Sequence, residues 1–190
     1  THIDALCHVF SEGKLYNGFP AESSIDSSGA RKNAISQVGA LVTRGVLLDV
    51  AGFHGDGPLP VEHTIEAAEL DAVAAKQGVQ IQSGDALLIR TGWLGVWQTD
   101  PAAFDAAQPG LGIDAARWAV RQEIVALGAD NSAVEAYPRP GGHAVHVEFI
   151  WRRGGYLPSS YRPHYVPDPY VYGLGPAPRR YRYLHARDDI

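Results

Sequence analysis

Apolar positions along this chain fall into a few dense runs, separated by polar stretches rich in glycine, serine and proline. Residues 1–10, THIDALCHVF, alternate loosely and carry β-branched and aromatic side chains, which predicts a short strand. The following SEGKLYNGFPAESSIDSSGARKN reads as an extended surface loop. RGVLLDVAGF (44–53) has the unbroken apolar run of a buried strand and passes into a glycine-rich turn, GFHGDGPLP. In HTIEAAELDAVAAKQG, Leu70, Val73 and Ala74 stand at i, i+3 and i+4, and Gly78 follows as a stop, so this segment predicts a helix. DALLIRTGW (85–93) predicts a second buried strand ending at Gly92. GIDAARWAVRQEIVALG predicts a longer helix, with Asp114 as cap, a stripe that includes Trp118 and Val125, and Gly128 as its close. ADNSAVEAYP reads as a strand end and loop, and HAVHVEFIWRRGG as a short helix ended by Gly154 and Gly155. Strands alternating with helices predict an α/β domain.

After Gly154 the pattern is lost. Residues 155–190 hold seven of the nine tyrosines and six of the thirteen prolines, which excludes a central strand or an interior helix there. This stretch reads as a proline-rich tail, or as an arm that packs on a partner subunit.

Composition narrows the class. A chain of 190 residues that is 45% hydrophobic can bury one substantial core. The formal net charge is −5 and no basic stripe precedes residue 150, so nucleic acid is excluded as a partner of the main body. No apolar run approaches the ~20 residues of a membrane span. The single cysteine, Cys7, excludes an internal disulfide and fits a reducing cytoplasm. The absence of methionine leads us to expect a processed or truncated chain, with Thr1 internal to a longer protein.

The chemistry concentrates at the start. On an extended strand His2 and Asp4 point the same way, and His8 has the same parity. Imidazole with carboxylate is a nitrogen–oxygen donor set suited to Zn²⁺ or Mn²⁺. Two ligands do not hold such an ion well, since a catalytic zinc site takes about three plus water.

THIDALCHVF resembles the metal-binding segment of the cyclase family of metal-dependent hydrolases, which includes bacterial kynurenine formamidases and isatin hydrolases. The family pattern is H-x-G-T-H-x-D-x-x-x-H, and Thr1, His2, Asp4 and His8 match its last four specified positions. Leu6 stands where proline is frequent, and the first histidine of the pattern would precede this chain. EGKLYNG, GDALLIRTGW (84–93), PGLGIDAARW (109–118), GADNSAVEA (128–136) and HVE (146–148) are similar to family segments in the same order, so the resemblance covers about residues 1–157.

What the resemblance implies is a swivelling-type β/β/α domain over residues 1–157, with a mixed sheet flanked by helices, and an irregular tail over 158–190. It implies His2 and Asp4 as metal ligands, His8 as the proton-transfer group, and His146 near the site as a second-site or substrate contact. An acidic residue about a dozen positions beyond that histidine helps bind metal in the formamidases, but GYLPSSY has no carboxylate there, so the resemblance does not carry a two-metal site onto this chain. The implied activity is hydrolysis of an amide or cyclic amide, such as an aryl formamide, an isatin-like or a lactone-like substrate, through a metal-activated water. The implied partner is a small-molecule substrate, the implied assembly a homodimer or homotetramer. The alternative is a non-catalytic remnant or binding module with an incomplete metal site. The family's closing Glu-x-Leu and TGSP-like segments are not found after Leu157, and with the shift to Tyr, Pro and Arg this reads as a change of reading frame near Leu157–Pro158.

The remaining candidates are open between two readings. Trp93 and Trp97 stand at i, i+4 after a strand, a spacing that suits a core as well as an aromatic pocket wall. Asn131 and Glu135 follow a strand end, where pocket residues and loop caps are both common. Cys7 reads as a small buried hydrophobe, and His54 and His63, in a turn-rich segment, as solvated. His143, His164 and His185 carry no assigned role.

Overall fold

The computed structural model describes residues 3–138, 144–152, 164–165 and 184–185. Along the described chain run α1 (Ala21–Ser24), β1 (Ile25–Asp26), β2 (Gly29–Ala30), β3 (Gly45–Asp49), α2 (Val50–His54), β4 (Thr64–Ile65) and α3 (Ala67–Gln77). They are followed by β5 (Ala86–Arg90), α4 (Leu94–Thr99), α5 (Pro101–Ala106), β6 (Gly110–Leu111), α6 (Ile113–Arg121), β7 (Ala126–Ala129) and α7 (Ala144–His146). A π-helical turn over Val147–Arg152 and the strands β8 (His164–Tyr165) and β9 (Leu184–His185) complete the order. The chain forms two compact units, one of Thr1–Thr43 with His146–Ile190 and one of Arg44–Val145. The division expected at residues 157 and 158 lies outside the described residues.

In the Arg44–Val145 unit, β3, β5 and β7 form a parallel sheet in that order, with Val46 opposite Leu87 and Leu48 opposite Ile89. These four side chains are buried, while their neighbours Leu47 and Leu88 turn to the other face and stay 50% and 48% exposed. The two strands were expected to be buried. Alternation instead buries one face within this chain and leaves the other accessible.

Helix α3 forms as its pattern predicts. Leu70, Val73 and Ala74 are buried, and Gly78 ends the helix in the left-handed region at φ 67°. Its start is later than the apolar pattern alone indicates, because Thr64–Ile65 pairs in parallel with Gly110–Leu111 instead. Asp114 does not cap its own helix, whose N-cap is Gly112; its carboxylate accepts from Ala67 N–H (3.3 Å) at the start of α3. Trp118 Nε1 donates to Asp71 (2.9 Å), so two carboxylate bonds join α3 to α6.

Two predicted elements end early. The strand expected over 44–53 stops at Asp49, which caps α2 by accepting from Gly52 N–H (2.7 Å) and pairs with Arg90 (2.6 Å). The helix expected to reach Gly128 stops at Arg121; Glu123 takes φ 56°, and the chain re-enters the sheet as β7. Val125 N–H bonding to Asp85 O (2.8 Å) aligns that re-entry. Gly92 follows β5 at φ 76°, where a Cβ would stand 2.9 Å from the Pro58 backbone, so only glycine fits there.

The other unit is built from turns. A strand was expected over residues 1–10, but described residues 3–10 contain none: His8 N–H bonds Ala5 O (2.8 Å) in a turn, and Cys7 N–H bonds Asn33 O (3.2 Å). Paired bonds between Ser11 and Lys14 (2.9 and 3.0 Å) fold the chain back so that Leu15 is fully buried. β1 and β2 make a two-residue hairpin in which Asp26 accepts from Ser28 N–H (2.8 Å) and pairs with Arg31. β8 and β9 pair antiparallel, His164 opposite His185. No helix among the described residues is long and apolar enough to cross a membrane.

Arg44 and Asp85 hold the first edge of the sheet. The guanidinium donates to the almost fully buried carboxylate through Nε (2.8 Å) and Nη2 (2.6 Å), and Gln82 N–H adds a third bond (2.8 Å). Burial works to raise the Asp85 carboxyl, but the Arg44 and Gln82 hydrogen bonds and the Arg44 charge outweigh it and hold the group below its ordinary value. A depressed carboxyl contributes stability above its ordinary value near 3.8, and that contribution is lost as pH falls through the depressed value. Asp85→Asn is expected to cost about 1.5–3 kcal/mol at pH 7, read from urea unfolding. Its deficit relative to the parent should shrink as the pH is lowered below 4 or so, and a deficit constant down to acid pH would remove this role.

Candidate functional site

A turn, not a strand, brings Asp4, an expected ligand, beside His8, the expected proton-transfer group. Asp4 and His8 stand at i and i+4 around the Ala5–His8 turn, which brings both side chains to one side. His146 supplies the third group. Asp4 Oδ2 lies 3.3 Å from His146 Nε2, and Oδ1 lies 3.8 Å from His8 Nε2. The two rings sit 5.9 Å apart, tilted by 46°, and the donor atoms of all three residues lie within 4.8 Å of one another.

Burial is graded across the cluster. The His146 side chain is 10% exposed, Asp4 is partly covered, and His8 is 53% exposed. One imidazole is therefore held inside the unit while the other can reach a molecule from solvent.

The distances test whether a cation fits. Ligand atoms about 2.1 Å from one ion at tetrahedral angles stand roughly 3.4 Å apart. The 3.3 Å between Asp4 Oδ2 and His146 Nε2 matches such an edge, whereas the 3.8 Å between Asp4 Oδ1 and His8 Nε2 is longer and beyond direct hydrogen-bond reach. Two imidazoles and a carboxylate also form the donor chemistry expected for a borderline divalent ion. The residues present fit a metal.

The other sequence candidates distribute as follows. His2 and His143 lie outside the described residues. Trp93 belongs to the Arg44–Val145 unit, is 7% exposed, and its ring N–H has no hydrogen-bond partner there among the described residues. Trp97 is half-exposed and packs edge-on against Phe104, 5.5 Å between centroids. Asn131 and Glu135 serve the loop: Asn131 donates to Pro109 O (2.7 Å) and accepts from Val134 N–H (2.7 Å), and buried Glu135 accepts from Val145 N–H (3.0 Å). Cys7 is half-buried rather than enclosed. His54 and His63 are not simply solvated. Both converge on Glu69, a residue the apolar pattern assigned only to the helix.

A family model described as putative cyclase matches residues 1–136. A crystal structure described as a novel cyclase is 40% identical, covers 71% of this chain and 47% of that one, and superposes with a TM-score of 0.67. An isatin hydrolase bound to the product analogue thioisatinate is 21% identical, with 58% and 45% of the two chains covered and a TM-score of 0.47. Isatin hydrolase A from Ralstonia solanacearum is 20% identical, with 62% and 46% covered and a TM-score of 0.46. The chain spans about half the length of these structures. Comparison with curated proteins finds no match.

Asp4→Asn keeps the side-chain shape but removes the charge between the two imidazoles. It is expected to strip the Asp4–His8–His146 cluster of added Zn²⁺ or Mn²⁺ in equilibrium dialysis while leaving the far-UV circular dichroism unchanged. Full retention of metal at that cluster would reassign Asp4 to a structural hydrogen-bonding role.

Proposed function

We propose a hydrolytic reaction for this chain, which belongs to the putative cyclase family: cleavage of an amide or cyclic amide beside an aromatic group, such as an aryl formamide, an isatin-like or a lactone-like small molecule. The fold is that of a metal-dependent hydrolase family, and the candidate cluster has the donors such chemistry requires. The observation that carries the reading is one carboxylate set between a buried and an exposed imidazole.

Asp4 and His146 would hold the divalent cation, Zn²⁺ or Mn²⁺, with His2 joining them on the strength of the family pattern. When bound, the ion supplies Lewis acidity, polarising a carbonyl and making water a better nucleophile near neutral pH. His8 accepts the proton of the attacking water at Nε2 and returns it to the leaving atom, nitrogen in an amide or oxygen in a lactone, as its bond to the carbonyl carbon breaks. Its exposure gives it reach to substrate, and its longer separation from Asp4 leaves its ring nitrogen available to exchange a proton. Asp4 and His146, more covered, keep the charge that faces the cation out of bulk water, where it acts more strongly.

A small-molecule substrate and a cytoplasmic homodimer or homotetramer complete the proposal. A net charge of −5 supports the omission of nucleic acid. A second reading, an inactive remnant or binding module, draws on GYLPSSY offering no carboxylate where the formamidases have a metal ligand.

Turnover and metal content together separate these. His8→Ala is expected to lower kcat on an aryl formamide by about 10²–10⁴-fold with metal content at the cluster unchanged. Loss of the metal in that variant would make His8 a ligand instead. A parent chain that neither binds metal at the cluster nor turns over any of the three substrate types would leave the remnant reading standing.

A further inference from the structure

We infer that His54, His63 and Glu69 form a divalent-cation site of their own, taking a borderline ion of the zinc class and clipping the loop after α2 to α3. The inference rests on residues of the Arg44–Val145 unit alone and does not depend on the hydrolytic reading.

Three separate pieces of chain deliver the donors: His54 ends α2, His63 lies in the loop before β4, and Glu69 sits in the first turn of α3. Glu69 Oε1 lies 2.6 Å from His54 Nε2 and 3.0 Å from His63 Nε2, while Oε2 lies 3.1 Å from His63 Nε2. The two rings meet edge to face with centroids 5.3 Å apart, and the three donor atoms fall within 4.8 Å of one another. Among the described residues this is one of two groups with such geometry.

As it stands both Nε2 atoms lie within hydrogen-bond distance of a single carboxylate. With each neutral ring in its Nδ1–H tautomer, both Nε2 lone pairs and the carboxylate can be directed at a cation instead. Ligands on a tetrahedral ion stand roughly 3.4 Å apart, so opening the contacts from 2.6 and 3.0 Å requires movement of under about 1 Å. Preorganisation of this kind removes most of the ordering cost of binding.

The surroundings also favour a cation. From His54 to Ala75 the chain has five carboxylates and no lysine or arginine. The next basic residue, Lys76, is occupied with the Phe53 ring (4.8 Å) and the Phe53 carbonyl (3.5 Å). Arg90 reaches the segment only at Asp56 (3.7 Å), while its close partner is Asp49. Glu69 is largely covered and His63 three-quarters covered, whereas His54 is half-open, which provides an entry path and a fourth position for water. The ligands span the turn from Gly55 to Glu62, so the ion acts as a clip.

The test uses the full chain, stripped with a chelator and titrated with Zn²⁺, with Co²⁺ as a spectroscopic probe. The parent and the Asp4→Asn variant should each bind a zinc equivalent that the His54→Gln/His63→Gln variant lacks. In the Asp4→Asn background, zinc at about a hundredfold excess over its dissociation constant should raise the unfolding temperature by roughly 5–10 °C, and adding His54→Gln/His63→Gln should abolish that shift. Glu69→Gln, which keeps a hydrogen-bonding oxygen but loses the charge, should fold and also lose that equivalent, and this covers the case where the double variant does not fold. Equal zinc stoichiometry and equal thermal shifts in the parent and in Glu69→Gln would overturn the inference. Loss of metal from Asp4→Asn alone would instead bear on the hydrolytic site.

Discussion

A carboxylate taken out of water must be met by donors, and in this chain that requirement joins segments that apolar packing alone would leave free to slide. Asp85 meets Arg44 across the sheet edge. Asp130 accepts from Thr91 N–H (2.6 Å), Thr91 Oγ1 (2.6 Å) and Gly92 N–H (2.8 Å), fixing the turn after β5 against the end of β7. Asp114 and Asp71 tie α3 to α6, and Glu135 receives Val145. Leucine and valine side chains supply the burial, but a small parallel sheet with one open face has few apolar contacts to set its register. Directional bonds to ionised groups set it instead.

Seen this way, the two imidazole–carboxylate clusters are the same device at two spacings. Around Glu69 the contacts are short and mutual, so the carboxylate is satisfied by the histidines themselves. Around Asp4 the contacts are longer: the 3.3 Å one to His146 has the spacing of two ligands on one ion, and the 3.8 Å one sets His8 beyond direct hydrogen-bond reach. The gradient of exposure from His146 to His8 adds direction, since a proton-transfer group must meet substrate while a ligand benefits from cover.

Local signals in the sequence were legible where one element decides its own fate. Helix α3 is an example: its buried stripe of Leu70, Val73 and Ala74 and the left-handed Gly78 are properties of eleven consecutive residues and the next one. The alternation in GVLLD and ALLIR also survives as strands, though which face finds cover does not follow from the run of apolar residues. Errors arose where a neighbour intervened. Asp49 turns from strand to cap because Arg90 and Gly52 are both within reach. Val125 looks like part of a helical stripe, yet Asp85 O draws its N–H into the sheet edge. The opening decapeptide, with its loosely alternating side chains, is turned by the Ala5–His8 bond and by Asn33, neither of which periodicity registers.

The family pattern singled out His2, Asp4 and His8, and the HVE segment His146, because residue chemistry and spacing are written in the chain itself, and so is the propensity of each segment to be helix or strand. Tertiary structure alone decided that His146 comes to the second oxygen of Asp4, and that His54 and His63 share Glu69. The physical reason is distance. Hydrogen bonds within a turn of helix or along a strand act between neighbours in sequence, whereas an imidazole and a carboxylate from remote segments meet only after the backbone between them has been folded by other contacts.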